Sequence, residues 1–416
     1  MKLFIRFSIF ISFIILLYLI YRSEIFEEGL RRDYYLLYFL ISVFLTIFFI
    51  ALSNINKEFQ KYFVIIFMSI LLTLYCFEGY LVLKTNNLQK TNFKVYEDLK
   101  KKNPELIPTI TPRLYQQERE SANYIFSLSG ISDVSTIFCN ENGYYAIYMS
   151  DRYGFNNPDN QWGGANDIEY LLVGDSFTHG ACVNRPYDIA SILRILSNKK
   201  VLNLGYSGNG PLIEYATLRE YLDKGVKKVL WLYFEGNDLT NLNNELKYPL
   251  LNKYLNDQNF SQNLKSKQNQ IDKLARTHFK KREVETNILN NTIIQFITLK
   301  NLRNLYNAAL ETNQVLSPDL QIVIKLADEL VKKNNSQLFF IYLPTSMRYK
   351  ITNPDDVFKK NTIKKIINNL NIPFIDIDDE VFKKEENPLK LFPFFNAHYN
   401  HVGYKKVALK IYEKTK

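Results

Sequence analysis

The sequence predicts an α/β domain carried behind three membrane-spanning helices. Two observations predict it. Three apolar stretches, each near the roughly 20 residues that cross hydrocarbon, fill the chain before Leu83. Beyond them, short apolar runs end repeatedly in glycine-bearing turns, the pattern of buried strands feeding helices. At 416 residues, the chain exceeds the roughly 100–200 residues of one domain.

The apolar stretches run about 3–21, 34–52 and 62–83, within a membrane region 1–84. Tyr21, Tyr34, Tyr35 and Tyr62 stand at their ends, where amphipathic rings favour the interface. No small-residue cleavage site follows the first stretch, since Tyr21-Arg22-Ser23-Glu24 comes next. It therefore reads as a retained helix rather than a signal peptide. Arg6 and Glu78 lie inside apolar runs but near their ends, where snorkelling is expected. Three spans put the two termini on opposite sides. Lys2, Arg6, Lys57 and Lys61 fall on one side; Arg22, Arg31, Arg32 and Lys84 fall on the other. Charge alone does not orient the chain.

The formal net charge is +10. The excess comes from scattered lysines, with no basic face interleaved with aromatics, so no nucleic-acid partner is expected. No CxxC or Cys/His spacing suggests zinc, and no cofactor is expected. Cys139 and Cys182 can pair in an oxidising compartment. Two separate buried thiols is the preferred reading.

Residues 85–165 read as a polar stalk followed by an accessory strand and loop. Pro104, Pro108 and Pro112 break the stalk, and Tyr144–Met149 has the composition of a strand. Ser150–Pro158 is rich in turn residues, with a structural turn as its default reading.

From residue 166 to 416 the pattern changes. Glu169–Val173 is a strand signal ending in Gly174-Asp175-Ser176-Phe177-Thr178-His179-Gly180. A serine just past a strand and at the start of a helix is well placed as a nucleophile, because helix N–H groups can stabilise an oxyanion. The alternative is a capping serine in a tight turn. Lys200–Leu204 runs likewise into Gly205-Tyr206-Ser207-Gly208. Lys228–Phe234 runs into Glu235-Gly236-Asn237-Asp238. Residues 239–310 form a polar insertion with helical stretches, either a lid or solvated packing. Ser336–Leu343 and Ile372–Ile377 are further strand signals. Asn396-Ala397-His398-Tyr399-Asn400-His401-Val402-Gly403 precedes a helical pattern and holds two of the four histidines.

These residues resemble the four blocks of the SGNH (GDSL-like) hydrolase family. Ser176, Gly208, Asn237 and His398 stand where the family has its serine, glycine, asparagine and histidine. The resemblance covers roughly residues 167–416 and implies a doubly wound, mainly parallel, flavodoxin-like sheet. It implies that Ser176 attacks an ester carbonyl and His398 accepts its proton. It implies an oxyanion hole from the N–H groups of Ser176 and Gly208 with the Asn237 amide, each donor worth about 3–4 kcal/mol.

Two departures matter. Glu235 stands where the third block often has glycine. Asn396 and Phe395 stand where the family usually has an aspartate before the histidine. A Ser–His dyad is therefore expected, with His398 oriented by Asn396 or a backbone carbonyl. Asp376, Asp378 and Asp379 are remote substitutes, and His401 competes with His398 for the role of base.

Membrane helices joined to such a domain resemble bacterial glycan-modifying systems. The expectation is an esterase or O-acyltransferase in the bacterial inner membrane, with its catalytic domain periplasmic and carbohydrate acyl esters as substrate. A transferase would need a membrane partner that supplies the acyl donor. The alternatives are a lipase or thioesterase acting on membrane lipids, and a non-catalytic glycan-binding module.

Overall fold

The computed structural model describes residues 2–26, 32–85, 99–112, 125–163, 168–289, 292–303, 317–350, 354–394 and 397–416. It divides into two compact units. One is Met1–Asn87 with Asn291–Tyr306; the other is Leu88–Asn290 with Asn307–Lys416.

The first unit holds α1 (Lys2–Ile20), α2 (Arg32–Ser53) and α3 (Lys57–Thr85). All three are long and apolar enough to cross a membrane. Ile5, Phe49 and Leu52 form their small shared core. Leu3, Phe44 and Leu72 are among many large side chains left exposed. So broad an apolar surface is costly in water and ordinary in lipid. Ser42 donates to the Ser12 carbonyl at 2.8 Å. The Gln60 amide donates to the carbonyls of Leu52, Ser53 and Ile55, satisfying groups that a helix end leaves open. Helix α3 starts at Lys57 rather than near Tyr62, because the polar turn Lys57–Lys61 is helical as well.

Glu78 departs from the expected snorkelling. Its side chain is fully buried. It accepts hydrogen bonds from the backbone N–H groups of Asn301 and Leu302, each at 2.9 Å.

Among the described residues, the second unit contains two sheets. The smaller joins β1 (Ile107–Pro108), β2 (Ser135–Ile137) and β3 (Ile147–Met149). Strand β2 runs parallel to β1 and antiparallel to β3, with Thr136 opposite Tyr148. The larger holds β4 (Ile168–Gly174), β5 (Lys200–Asn203), β6 (Val226–Phe234), β7 (Gln337–Leu343) and β8 (Phe374–Asp376). Its order is β5-β4-β6-β7-β8, and every pairing is parallel.

Period-2 alternation divides each strand between two cores. Leu171, Val173, Val229 and Trp231 face one cluster with Leu212, Ile213, Val323, Ile324, Ile363 and Ile367. Those partners lie on helices Pro211–Tyr221, Asp319–Lys333 and Pro354–Asn369. Tyr170, Leu172, Leu230 and Leu232 face the other cluster with Ile189, Leu193, Val407 and Ile411, from helices Ile189–Ser197 and His401–Thr415. The sheet is doubly wound, as the motifs implied. The winding reverses at β4, between β5 and β6, and ligand crevices form at such a switch point beyond the carboxyl ends of the strands.

The turn Ser150–Pro158 is a structural plug. Asp151 is buried and accepts from Trp162 Nε1 (2.6 Å), Asn157 Nδ2 (2.8 Å) and the N–H groups of Tyr153 and Phe155 (2.9 Å each). Burial pushes its carboxyl up to about 6, against the pull of those donors. Asn157 then pairs with both backbone groups of Asn203, tying the accessory segment to the edge strand.

Candidate active site

At the end of β4 the chain turns through Gly174 with no room to spare. A methyl group there would lie 2.7 Å from the Leu232 carbonyl oxygen. Asp175 caps the short helix Ser176–His179, its Oδ1 accepting from the Phe177 N–H at 2.9 Å. Burial pushes the Asp175 carboxyl up to about 6. Ser176 therefore begins a helix at the switch point.

His398 comes from the other end of the chain. Next to it, buried Tyr399 donates its hydroxyl to the Pro344 carbonyl at 2.7 Å. Asn400 caps the last helix, its Oδ1 accepting from the N–H groups of Val402 and Gly403 at 3.0 Å each. With the backbone that follows it held in this way, the imidazole places Nε2 2.9 Å from Ser176 Oγ. His401 instead lies at the helix start beside Tyr187, with ring centroids 6.0 Å apart.

The expected dyad is corrected by Glu141. Its carboxylate lies 3.0 and 3.2 Å from His398 Nδ1 and accepts the His398 backbone N–H at 2.8 Å. An acceptor at Nδ1 assigns the ring proton to that nitrogen, leaving the Nε2 lone pair for the Ser176 hydroxyl. Burial raises the Glu141 pKa, but the His398 hydrogen bonds and charge outweigh it, and the net shift is downward. Asn396 and Phe395 lie outside the described residues. The remote substitutes are committed elsewhere: Lys360 lies 2.9 Å from Asp376, 2.7 Å from Asp378 and 2.9 Å from Asp379.

Glu141 sits in the turn between β2 and β3, and the neighbouring residues explain how it gets there. Cys139 and Cys182 form a disulfide, with Cα atoms 4.9 Å apart, inside the usual range. This overturns the reading of two separate thiols. The bridge ties the β2–β3 turn to the loop after Ser176. Asn142 Nδ2 adds a hydrogen bond to the Cys182 carbonyl at 3.0 Å. Nothing in the spacing around Glu141 marks it. The only cues are an acidic residue in an Asn-Glu-Asn-Gly turn and a cysteine two positions before it.

Gly208 and Asn237 lie on the loops after β5 and β6, so Ser176, Gly208 and Asn237 all stand beyond the carboxyl ends of adjacent strands. Gly208 has φ of +80°, a left-handed conformation suited to glycine. The Asn237 side-chain oxygen is buried with no hydrogen-bond partner among the described residues. Glu235 is explained by its partners. It pairs with Arg348, whose Nε donates to Oε1 at 2.9 Å, and accepts the Thr345 N–H at 2.8 Å. A glycine there would lose the link between the β6 and β7 turns.

His179 holds the loop before Gly208. The Ser207 N–H donates to His179 Nδ1 at 3.2 Å, so the ring proton lies on Nε2, which meets the Tyr148 hydroxyl at 2.7 Å. The ring stacks on Tyr206 with centroids 4.5 Å apart. Burial pushes its pKa down to about 3, helped by nearby His398, so it stays neutral at ordinary pH.

Among the described residues, two groups resemble metal sites. Glu141, Cys182 and His398 stand close together, but the Cys182 sulfur is committed to the disulfide. Asp376, Asp378 and Asp379 also cluster, and the Lys360 ammonium already occupies their centre.

No family model and no curated protein matches the sequence. Solved structures do. A member of the lipolytic protein G-D-S-L family from Veillonella parvula matches at 15% identity, over 59% of this chain and 97% of that one, with a TM-score of 0.34. An acetylxylan esterase from Geobacillus stearothermophilus matches at 12% identity, over 61% and 95%, with a TM-score of 0.34. A carbohydrate esterase family 2 enzyme from Corynascus thermopiles matches at 10%, over 66% and 73%, with a TM-score of 0.35. The second unit carries the four motif blocks that resemble those of the SGNH hydrolases, on a doubly wound parallel sheet of order β5-β4-β6-β7-β8 that brings Ser176 against His398.

Proposed function

We propose that the chain is a membrane-anchored serine esterase or O-acyltransferase acting on acyl, chiefly acetyl, esters of carbohydrate through an acyl-enzyme on Ser176. The observation that carries this reading is the line from Glu141 through His398 to Ser176. His398 takes the Ser176 proton as Oγ attacks the ester carbonyl, and Glu141 stabilises the imidazolium that forms. The N–H groups of Ser176 and Gly208, with the Asn237 amide, receive the oxyanion. His398 then protonates the leaving alcohol. Water resolves the acyl-enzyme in an esterase; a sugar hydroxyl resolves it in a transferase. The latter needs a membrane partner that delivers the acyl donor.

The preference for short acyl groups is tested with aryl esters of rising chain length on the purified full chain. The expected kcat/KM falls by about tenfold, ~1.4 kcal/mol, or more from acetate to octanoate. A rise with chain length would replace this reading with a lipase or thioesterase acting on bilayer lipids.

We further propose that the N-terminus is cytoplasmic and the domain after α3 periplasmic, in a bacterial inner membrane. The Cys139–Cys182 bridge supports an oxidising compartment. Alkaline phosphatase fused after Lys416 is expected to be active. A silent phosphatase beside a fluorescent protein fusion at the same site would place the domain in the cytoplasm.

A further inference from the structure

An ionisable side chain inside an apolar span is expensive unless it is paired. Glu78 is such a side chain, fully buried in α3, and its partners come from far along the chain. Asn301 donates both its backbone N–H and its side-chain amide to Glu78 Oε1, at 2.9 Å each; the Leu302 N–H donates to Oε2 at 2.9 Å. These donors stand at the start of a helical turn, where backbone N–H groups lack intrahelical acceptors and a carboxylate is favoured.

The contact extends one turn back along α3. Tyr75 donates its hydroxyl to the Ile297 carbonyl at 2.9 Å, and its ring lies 5.4 Å from that of Phe296. Gly79 leaves space there, since a Cβ would sit 3.8 Å from the Phe296 ring. Residues 291–306 accordingly group with α1–α3, although 204 positions separate them from Asn87 in sequence (291 − 87).

Depth and composition identify the surroundings. Glu78 lies five residues before Leu83, where the apolar span ends, or roughly 7.5 Å at 1.5 Å per residue. That is close to the boundary of the hydrocarbon. Ile297 is 59% exposed, and Lys300 and Arg303 follow. An exposed apolar side chain beside cations with long aliphatic stems suits the headgroup boundary.

We propose that residues 292–303 are a second membrane attachment, seated in the lipid interface and latched to α3 by Glu78. The insertion is then a tether as well as a connection between β6 and β7. The catalytic segment is held to the membrane twice, once through the chain that follows α3 and once through this latch. This inference rests on α1–α3 being membrane spans and not on the proposed esterase activity.

The test uses the full chain with a site-specific protease site introduced between Thr85 and Leu99. Membranes carrying it are cut, washed with salt and sedimented. The wild-type fragment from the cut site to Lys416 is expected to remain in the pellet. Glu78→Leu removes the acceptor and should release that fragment; Glu78→Gln keeps one acceptor oxygen and should retain most of it. Circular dichroism of the released fragment checks that it is folded. Release of the wild-type fragment overturns the proposal, as does equal retention of the wild-type and Glu78→Leu fragments. Recovery of the uncut chain in the supernatant would overturn it at its premise, the membrane spans.

Discussion

Replacing Glu141 by Gln is expected to lower kcat on a small aryl acetate by about 10⁴-fold, the scale seen when a triad carboxylate becomes an amide. The reason lies in the tautomer. An amide can present its NH₂ to His398 Nδ1 and move the ring proton to Nε2, which faces Ser176 at 2.9 Å. The nucleophile then meets a donor instead of a base. Glu141→Asp should recover part of the loss, limited by a shorter reach across 3.0 Å. Kinetics within threefold of wild type for Glu141→Gln would return the site to a dyad. The same carboxylate links pH to stability. Its folded pKa is lowered, so its contribution is present above the unfolded value of about 4.3 and is lost as the pH falls through the folded value. Glu141→Gln should flatten acid denaturation in that window, as read by thermal melts at stepped pH.

Ser176→Ala should cost still more, about 10⁶-fold in kcat, and should abolish covalent labelling by a fluorophosphonate. The Ser176 side chain touches His398 and lies 3.3 Å from Asp175 Oδ2, and it is nearly buried. A methyl group fits the same space, so the fold should survive and the loss should be chemical. Labelling of the Ala variant at the wild-type rate would remove Ser176 from the mechanism.

These two residues differ in how legible they are in the sequence. Ser176 announces itself locally. An apolar run, a glycine and a helix start lie within a few residues, and backbone sterics allow few ways to join them. The turns at Gly208 and Asn237 likewise follow apolar runs, while the roles of Gly208, Asn237 and His398 are implied by the resemblance to SGNH hydrolases. Periodicity also locates the five strands of the larger sheet to within one or two residues at most ends, because buried parallel strands must be apolar on both faces. The accessory strand is shorter than its composition suggests. Ile147–Met149 pairs with β2, Ala146 exchanges backbone hydrogen bonds with Phe138 and Cys139 just beyond it, and Tyr144-Tyr145 continue the turn that carries Glu141.

Glu141 has no local signature. It stands 257 positions from His398, on a turn whose place depends on a disulfide, a small sheet and the plug around Asp151. Any carboxylate in the chain could have served as well by spacing alone. The same holds for the Cys139–Cys182 bridge and for Glu78, whose partners lie more than 220 positions away. Local chemistry suffices for the three long apolar helices and the buried strands, since hydrophobic length and patterning determine them; the wound sheet and the pairing of Ser176 with His398, 222 positions apart, are implied by the resemblance to SGNH hydrolases. What orients the histidine, and what supplies hydrogen bonds to a carboxylate buried in an apolar helix, depends on packing between distant segments. Loop closure costs free energy that grows only slowly with length, so sequence distance does not reveal which segments meet.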